Sequence, residues 1–374
     1  MKPCIYADNA ATSKLDIEAF EVMKKYMLEE YGNASQPYSF SRSPKLALRE
    51  ARVRIAECIN AEPEEIYFTS GGTESDNWAL KESIPYSATV VTSAIEHHAI
   101  LNACKHIEKR GGKIRTVGVD KFGIVDKELF AEYLNGAHIA SIMLVNNEIG
   151  TIEPIVELAK MAHKKNVLFH TDAVQALGHI SVDVKELDVD MLSASAHKFN
   201  GPKGIGFLYV KKGISLSSYI DGGKQEFGRR AGTENVAAIV GMAVALRNNI
   251  EKLDENSRHI RHLEDVLIQR LLDEKIDFVR NGINQIPGNL SLSFKGYEGE
   301  MLLHRLDLLG ICVSTGSACD SVNTQVSHVL KAIKLDKEYA EGTIRISFGK
   351  NNTESEAKEI ARAIVKIVNG KNVQ

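Results

Sequence analysis

Short runs of β-branched and aromatic residues alternate with longer stretches of helical apolar spacing through the first half of the chain. No other feature constrains the fold as much. Strand-like runs occupy residues 65–69, 89–92, 139–145, 167–171 and 205–210, and a helical pattern at 152–165 separates two of them. Regular alternation of this kind builds a parallel or mostly parallel sheet with helices on both faces. Several runs are apolar almost throughout, as strands covered on both sides are. From about 236 to 270 the pattern becomes one long helix. Shorter strands follow at 289–294, 312–314 and 343–348, flanked by helices at 298–309 and 353–368. The expected organisation is α/β: a large sheet domain at 15–250, and a smaller α+β domain made of 1–14 and 251–374. In this arrangement the N-terminal segment packs on the second domain.

Composition narrows the function classes. The 374 residues are 44% hydrophobic and 25% charged, with a net charge of -3. That is an ordinary globular balance, without the basic stripe that nucleic acid or an anionic membrane would require. The longest apolar runs are far too short to span a bilayer. The five cysteines are odd in number and widely spaced, with no CxxC pair. Neither a disulfide framework nor a metal site is expected, and a reducing cytoplasm suits them. The N-terminus shows no apolar signal-peptide core.

Four stretches carry chemistry. In Ser193-Ala194-Ser195-Ala196-His197-Lys198-Phe199-Asn200-Gly201-Pro202, a lysine sits on a tight turn between two strand-like runs. Burial there lowers an amine's pKa and makes it nucleophilic; singly, a lysine is an ordinary surface residue. Asp172 follows an apolar strand, where a carboxylate faces a ligand crevice and can keep a pyridinium nitrogen protonated; it also reads as a helix N-cap. Gln175, three residues on, shares its face if the chain turns helical. Strand, Gly71-Gly72-Thr73 and helix make an anion site from free N–H groups, or simply a turn and cap. Ser195 and His197 can add donors to that anion. His97, after the run at 89–92, can stack on an aromatic ring or be merely structural.

Taken in order, these pieces resemble the class V aminotransferase superfamily, and within it the cysteine desulfurases that supply iron–sulfur cluster assembly. The likeness extends to Tyr6-Ala7-Asp8-Asn9-Ala10-Ala11-Thr12, Asn146-Asn147-Glu148-Ile149-Gly150, Gly228-Arg229-Arg230-Ala231-Gly232-Thr233-Glu234-Asn235, Gly316-Ser317-Ala318-Cys319, Ser327-His328-Val329-Leu330 and Thr343-Ile344-Arg345-Ile346-Ser347. It implies the aspartate-aminotransferase-like fold, with a large seven-stranded-type sheet. It implies pyridoxal 5'-phosphate (PLP) carried by Lys198, with Asp172 on the ring nitrogen, Gln175 on the ring oxygen and His97 stacked above. Gly72, Thr73, Ser195 and His197 would bind phosphate, and Thr233 would reach the cofactor of a homodimeric partner. Asn147 would lie beside cofactor and substrate. Arg345, with Asn33, would grip the substrate carboxylate, for which a guanidinium fork is suited.

Cys319 selects the reaction. Its surroundings are small and polar, as in an exposed loop, whereas Cys312 reads as a small buried hydrophobe. The resemblance implies that Lys198 removes the Cα proton of L-cysteine. Cys319 then attacks the substrate sulfur, leaving alanine and a persulfide for an acceptor protein. Three features depart from the family pattern. Asp320 follows the cysteine and should disfavour its thiolate. Residues 35–43 lack a histidine and a Gly-Arg pair. Lys350 stands where arginine is common. Rival readings are another PLP reaction, such as a selenocysteine lyase or a transaminase, and a non-catalytic binding partner.

Overall fold

The strand-like runs assemble side by side. In a computed structural model, which describes residues 4–85, 87–316 and 326–370, the described residues form twelve strands. They are β1 (Ile5–Tyr6), β2 (Ile66–Thr69), β3 (Thr89–Ser93), β4 (Lys113–Val117), β5 (Ile139–Ser141), β6 (Leu168–Asp172), β7 (Met191–Ser195), β8 (Gly206–Val210), β9 (Phe278–Asn281), β10 (Asn289–Phe294), β11 (Ile311–Cys312) and β12 (Thr343–Ser347). Seven form one sheet in the order β2-β8-β7-β6-β5-β3-β4. Within it, only β8 runs against its neighbours. Six strands therefore deliver their C-terminal ends to one edge, where open α/β sheets bind ligands.

Apolar residues on both faces explain why these runs read as continuous. Ile66, Phe68, Val91, Leu192, Phe207 and Tyr209 enter one core. Their strand neighbours Tyr67, Val90, Met191, Leu208 and Val210 enter another, around Trp78. Adjacent side chains point to opposite sides, so a strand feeding two cores must be apolar at every step. A further core gathers Ala7 with residues from Ile260 to Val368, over a sheet ordered β12-β10-β9.

Three elements differ most from expectation. The helix expected at 152–165 spans Ile155–His163, because Pro154 stands at its N-cap and cannot continue a helix backwards. The run at 139–145 is a strand only to Ser141. Its Ile142 and Leu144 N–H groups still bond to His170 and Asp172 carbonyls before the chain turns at Asn146. The long helix after 236 is two, Val236–Glu251 and Leu253–Asp273, separated at Lys252. Asn248 and Asn249, poor helix formers, precede that break. Asn249 turns its amide onto the Ala245 and Phe199 carbonyls.

The N-terminal segment touches both parts of the molecule. β1 pairs in parallel with β11, and Asp8 bridges to Ser347. Further on, Ser13 and Asp16 N–H groups bond to the carbonyls of His197 and Asn200, strapping the lysine turn.

Candidate active site

Loops leaving the strand ends enclose a cavity of about 280 Å³. β7 ends at Ser195 and a single 3₁₀ turn, Ala196–Lys198, carries the lysine inward. Lys198 Nζ donates to the carbonyls of Ala10 (2.6 Å) and Ala11 (2.8 Å). The turn is fixed from outside. The Asn200 N–H donates to Ser13 Oγ, its side-chain amide donates to Lys14 O, and Ser13 Oγ donates to His197 O.

Asp172, the last residue of β6, is buried and accepts from the Val174 N–H at 2.9 Å. Burial pushes its carboxyl up to about 6, against the lowering pull of that N–H and of Lys198. Behind it, Asp76 is raised well above the carboxylate range by burial and by the Asp172 charge, and its Oδ1 has no hydrogen-bond partner. This wall therefore carries buried negative charge facing a cavity. Gln175 is also buried there, its amide donating to Ala10 O.

His97 caps the helix His98–Lys109 by accepting the Ala99 N–H at Nδ1. Burial, with the Lys198 and His98 charges, pushes its pKa down to about 4. The ring is therefore neutral near pH 7 and carries its proton on Nε2. On the opposite side begins the helix Gly72–Glu82, whose first turn no side chain caps. Ser195 and His197 flank it, and Thr12, Thr73 and Lys203 line an adjoining hollow. A close approach makes this possible: a Cβ on Gly206 would lie 2.3 Å from Ala194 O and 2.7 Å from Gly71 Cα. Glycine is thus required for the turn to lie against β8.

Arg345, on β12, closes the cavity from the second sheet. It is buried, donates to Asn147 O and to Asp8 Oδ1, both at 2.8 Å, and leaves its Nε without a partner. A buried cation with an unused N–H can receive a carboxylate.

Gly72, Thr73, His97, Asn147, Asp172, Gln175, Ser195, His197, Lys198 and Arg345 all line this one cavity. Asn33 and Thr233 do not. Asn33 caps the Ser35 N–H, and Thr233 is exposed. Cys319 lies outside the described residues. The cavity also takes in Ala10, Ala11, Asp76, His98, Glu148, Gly316 and His328. Ala10 and Ala11 act through backbone carbonyls, which leave no side-chain signal in a sequence. Asp76, His98 and Glu148 stood beside residues already singled out. The donor set suits an anionic, protonated aromatic ring: an uncapped helix start for the anion, a buried carboxylate for the cationic nitrogen, and an amine between them.

Buried titratable groups also give this region a pH signature. Glu96 accepts from Ser93 Oγ and the Met143 N–H, but its Oε2 has no partner. Burial pushes its carboxyl up to about 8, and that of Glu153 likewise to about 8. The folded chain keeps protons there that the unfolded chain releases above about 4.5, so their stabilising share is full below that pH and lost as pH rises through 8. His97, His170 and His197, lowered to about 4, 3 and 4, contribute above 6.5 and lose that contribution as pH falls. From pH 6.5 to 8 the carboxylates dominate. Urea unfolding of the cofactor-free chain should lose roughly 1–3 kcal/mol over that window, and Glu96→Gln should flatten the slope. A flat or rising wild-type profile would contradict these burial assignments.

A mostly parallel sheet with a lysine, a buried carboxylate and an uncapped helix start at its strand ends defines a group-transfer enzyme of the aminotransferase kind. The family model described as Aminotransferase class-V matches residues 5–360, and the chain belongs to that family. Among its members the chain is similar to a protein named cysteine desulfurase IscS from Clostridium botulinum. The two are 43% identical over 378 residues, covering 98% of this chain and 95% of that one. A solved structure titled NifS-like protein superposes with a TM-score of 0.92 at 36% identity, covering 98% of this chain and all of that one. Another, titled SspA in complex with cysteine, gives 0.83 at 31%, covering 93% of this chain and all of that one. No helix among the described residues is long and apolar enough to cross a membrane.

Proposed function

We propose that the chain is a PLP-dependent cysteine desulfurase: it converts L-cysteine to L-alanine and holds the sulfur as a persulfide on Cys319 for a protein acceptor. The observation that carries this reading is the convergence of Lys198, Asp172 and Arg345 on one cavity whose wall includes Gly316. Cys319 follows Gly316 by three residues, and three peptide units span at most about 11 Å. A thiol that few residues from the cavity wall would be within reach of it.

The residues divide the work. Lys198 would hold PLP, which when bound would supply an electron sink for chemistry at the substrate's Cα. The uncapped start of the helix Gly72–Glu82, with Ser195 and His197, would hold the phosphate. Asp172 would pair with the ring nitrogen, Gln175 would bond the ring oxygen, and His97 would stack on the ring as a neutral imidazole. Arg345 takes the substrate carboxylate through its unused Nε and by sharing N–H groups with Asp8 and Asn147 O. Lys198, released from Ala10 and Ala11 carbonyls, moves the proton from Cα. Cys319 attacks the substrate sulfur: an S–S bond forms, the Cβ–S bond breaks, and Cβ gains a proton, so that L-cysteine plus a thiol gives L-alanine plus a persulfide.

A homodimer belongs to the same proposal. Phe20, Met27, Leu28 and Tyr31 are exposed on and after the helix Ile17–Leu28, and Phe40 stands edge-on to Tyr31. Such an apolar surface is characteristic of an interface, and exposed Thr233 would be free to reach across it. The cytoplasm, where thiols stay reduced, suits this chemistry.

The test is alanine and sulfide release from L-cysteine by the PLP-loaded protein with a reductant present. Cys319→Ala should keep the cofactor's absorbance yet lose persulfide and at least about 10³-fold of the rate, as nucleophile removal does. A variant that releases alanine at the wild-type rate would exclude this reading in favour of another PLP reaction.

A further inference from the structure

Glu148 has no role in the scheme above, yet its carboxylate meets both ends of the stretch 317–325 that bears Cys319. On one side, Ser327 Oγ donates to Glu148 Oε2 at 2.5 Å. On the other, a Cβ placed on Gly316 would lie 2.5 Å from the same oxygen and 3.7 Å from Ser327 Cβ. The Gly316 Cα thus packs directly against that carboxylate, which a side chain there would push aside. Glu148 and Ser327 are both 5% exposed, so the contact is shielded from competing water, where a charge-assisted hydrogen bond is strongest.

Both partners are fixed from behind. Asn146 Oδ1 accepts the Glu148 and Ile149 N–H groups, and its amide donates to Ile95 O. Ser327 Oγ also accepts the Val329 N–H. The preceding peptide carbonyl, Asn147 O, accepts from Arg345 Nη1 at 2.8 Å. Two consecutive residues thus bond to the carboxylate-binding arginine and to the root of the thiol-bearing stretch.

We propose that Glu148 is a positioning residue: it ties together the two chain ends flanking 317–325 and sets them at a fixed distance from Arg345. This rests on the desulfurase reading. A tethered thiol gains effective concentration at the substrate sulfur only while its anchor points hold, and an error of about 1 Å can cost about 10²-fold. The proton transfer at Cα uses Lys198 and needs no such anchor.

That asymmetry supplies the test, with PLP-loaded wild type, Glu148→Ala, Glu148→Gln and Ser327→Ala. Glu148→Ala should lower alanine release from L-cysteine by about 30–100-fold. Exchange of the Cα proton of L-alanine into deuterated water should stay within about threefold, since positioning of the thiol is not used in that step. Glu148→Gln keeps an acceptor for Ser327 Oγ and should return to within about tenfold of wild type. In the cofactor-free proteins, amide exchange in peptides flanking 317–325 should quicken about tenfold or more in Glu148→Ala and Ser327→Ala. If Glu148→Ala fails to fold, Ser327→Ala must show the same split, with about a tenfold loss of alanine release. Parallel loss of both reactions, wild-type alanine release, or unchanged amide exchange each overturns the proposal. A wild type that exchanges the alanine proton but releases no alanine from cysteine would sink the desulfurase reading, and this inference with it.

Discussion

Lys198→Ala is expected to yield a folded chain that loses at least about 10⁴-fold of its alanine release, because the proposed scheme gives one side chain both the cofactor's anchor and the base for Cα. Folding should survive. The turn is held by Ser13, Asn200 and the His197 carbonyl, none of which uses the ammonium group. Both carbonyls lose the lysine, but Ala10 O keeps the Gln175 amide as donor. The expected stability cost is about 1 kcal/mol. Absorbance of the bound cofactor should shift away from its lysine-linked form, and added methylamine should restore part of the rate by standing in for the lost amine. Activity within tenfold of wild type would refute the catalytic half of this assignment, and a chain that unfolds without the lysine would refute the structural half.

The sequence makes the lysine, Asp172, Gln175 and the Gly72 turn visible for a common reason. Each follows a strand-like run, and strand ends in a parallel sheet gather at one edge. The sheet itself is readable because its strands feed cores on both faces, and so carry unbroken apolar runs. What stays hidden is whatever depends on backbone or on meetings across the chain. The Ala10 and Ala11 carbonyls that receive Lys198 carry no side-chain signature. The Arg345–Asp8 ion pair joins residues 337 positions apart. Just before the helix break at Lys252, Asn249 turns its amide to the Phe199 carbonyl, a contact that spacing along one helix does not reveal. β4 is hidden for a related reason: Lys113-Ile114-Arg115-Thr116-Val117 alternates polar and apolar residues at the sheet edge, and so lacks the continuous apolar run of the central strands.

Asp172→Asn separates function from stability most sharply. The amide keeps an oxygen for the Val174 N–H and removes the negative charge buried beside Asp76. The Asp172 carboxyl is raised to about 6 from 3.8, so the folded chain bears a desolvation cost once the group ionises. That cost is absent below about pH 4 and complete above about pH 7. The cofactor-free variant should therefore be more stable than wild type by about 1–2 kcal/mol at pH 8, after allowing for the new amide donors, and the gain should vanish by pH 4. The loaded variant should lose about 10³-fold of its rate, because a neutral amide cannot hold a ring nitrogen protonated while charge develops on it. Urea midpoints at the two pH values, set beside alanine release, decide the matter. A variant less stable than wild type at pH 8 would mean that Asp172 is held by compensating contacts and carries no stored strain. A variant of undiminished rate would mean that its charge faces nothing the reaction uses. The opposite signs expected of the two measurements would follow from one cause, a carboxylate kept out of water where the proposed cofactor's cation would meet it.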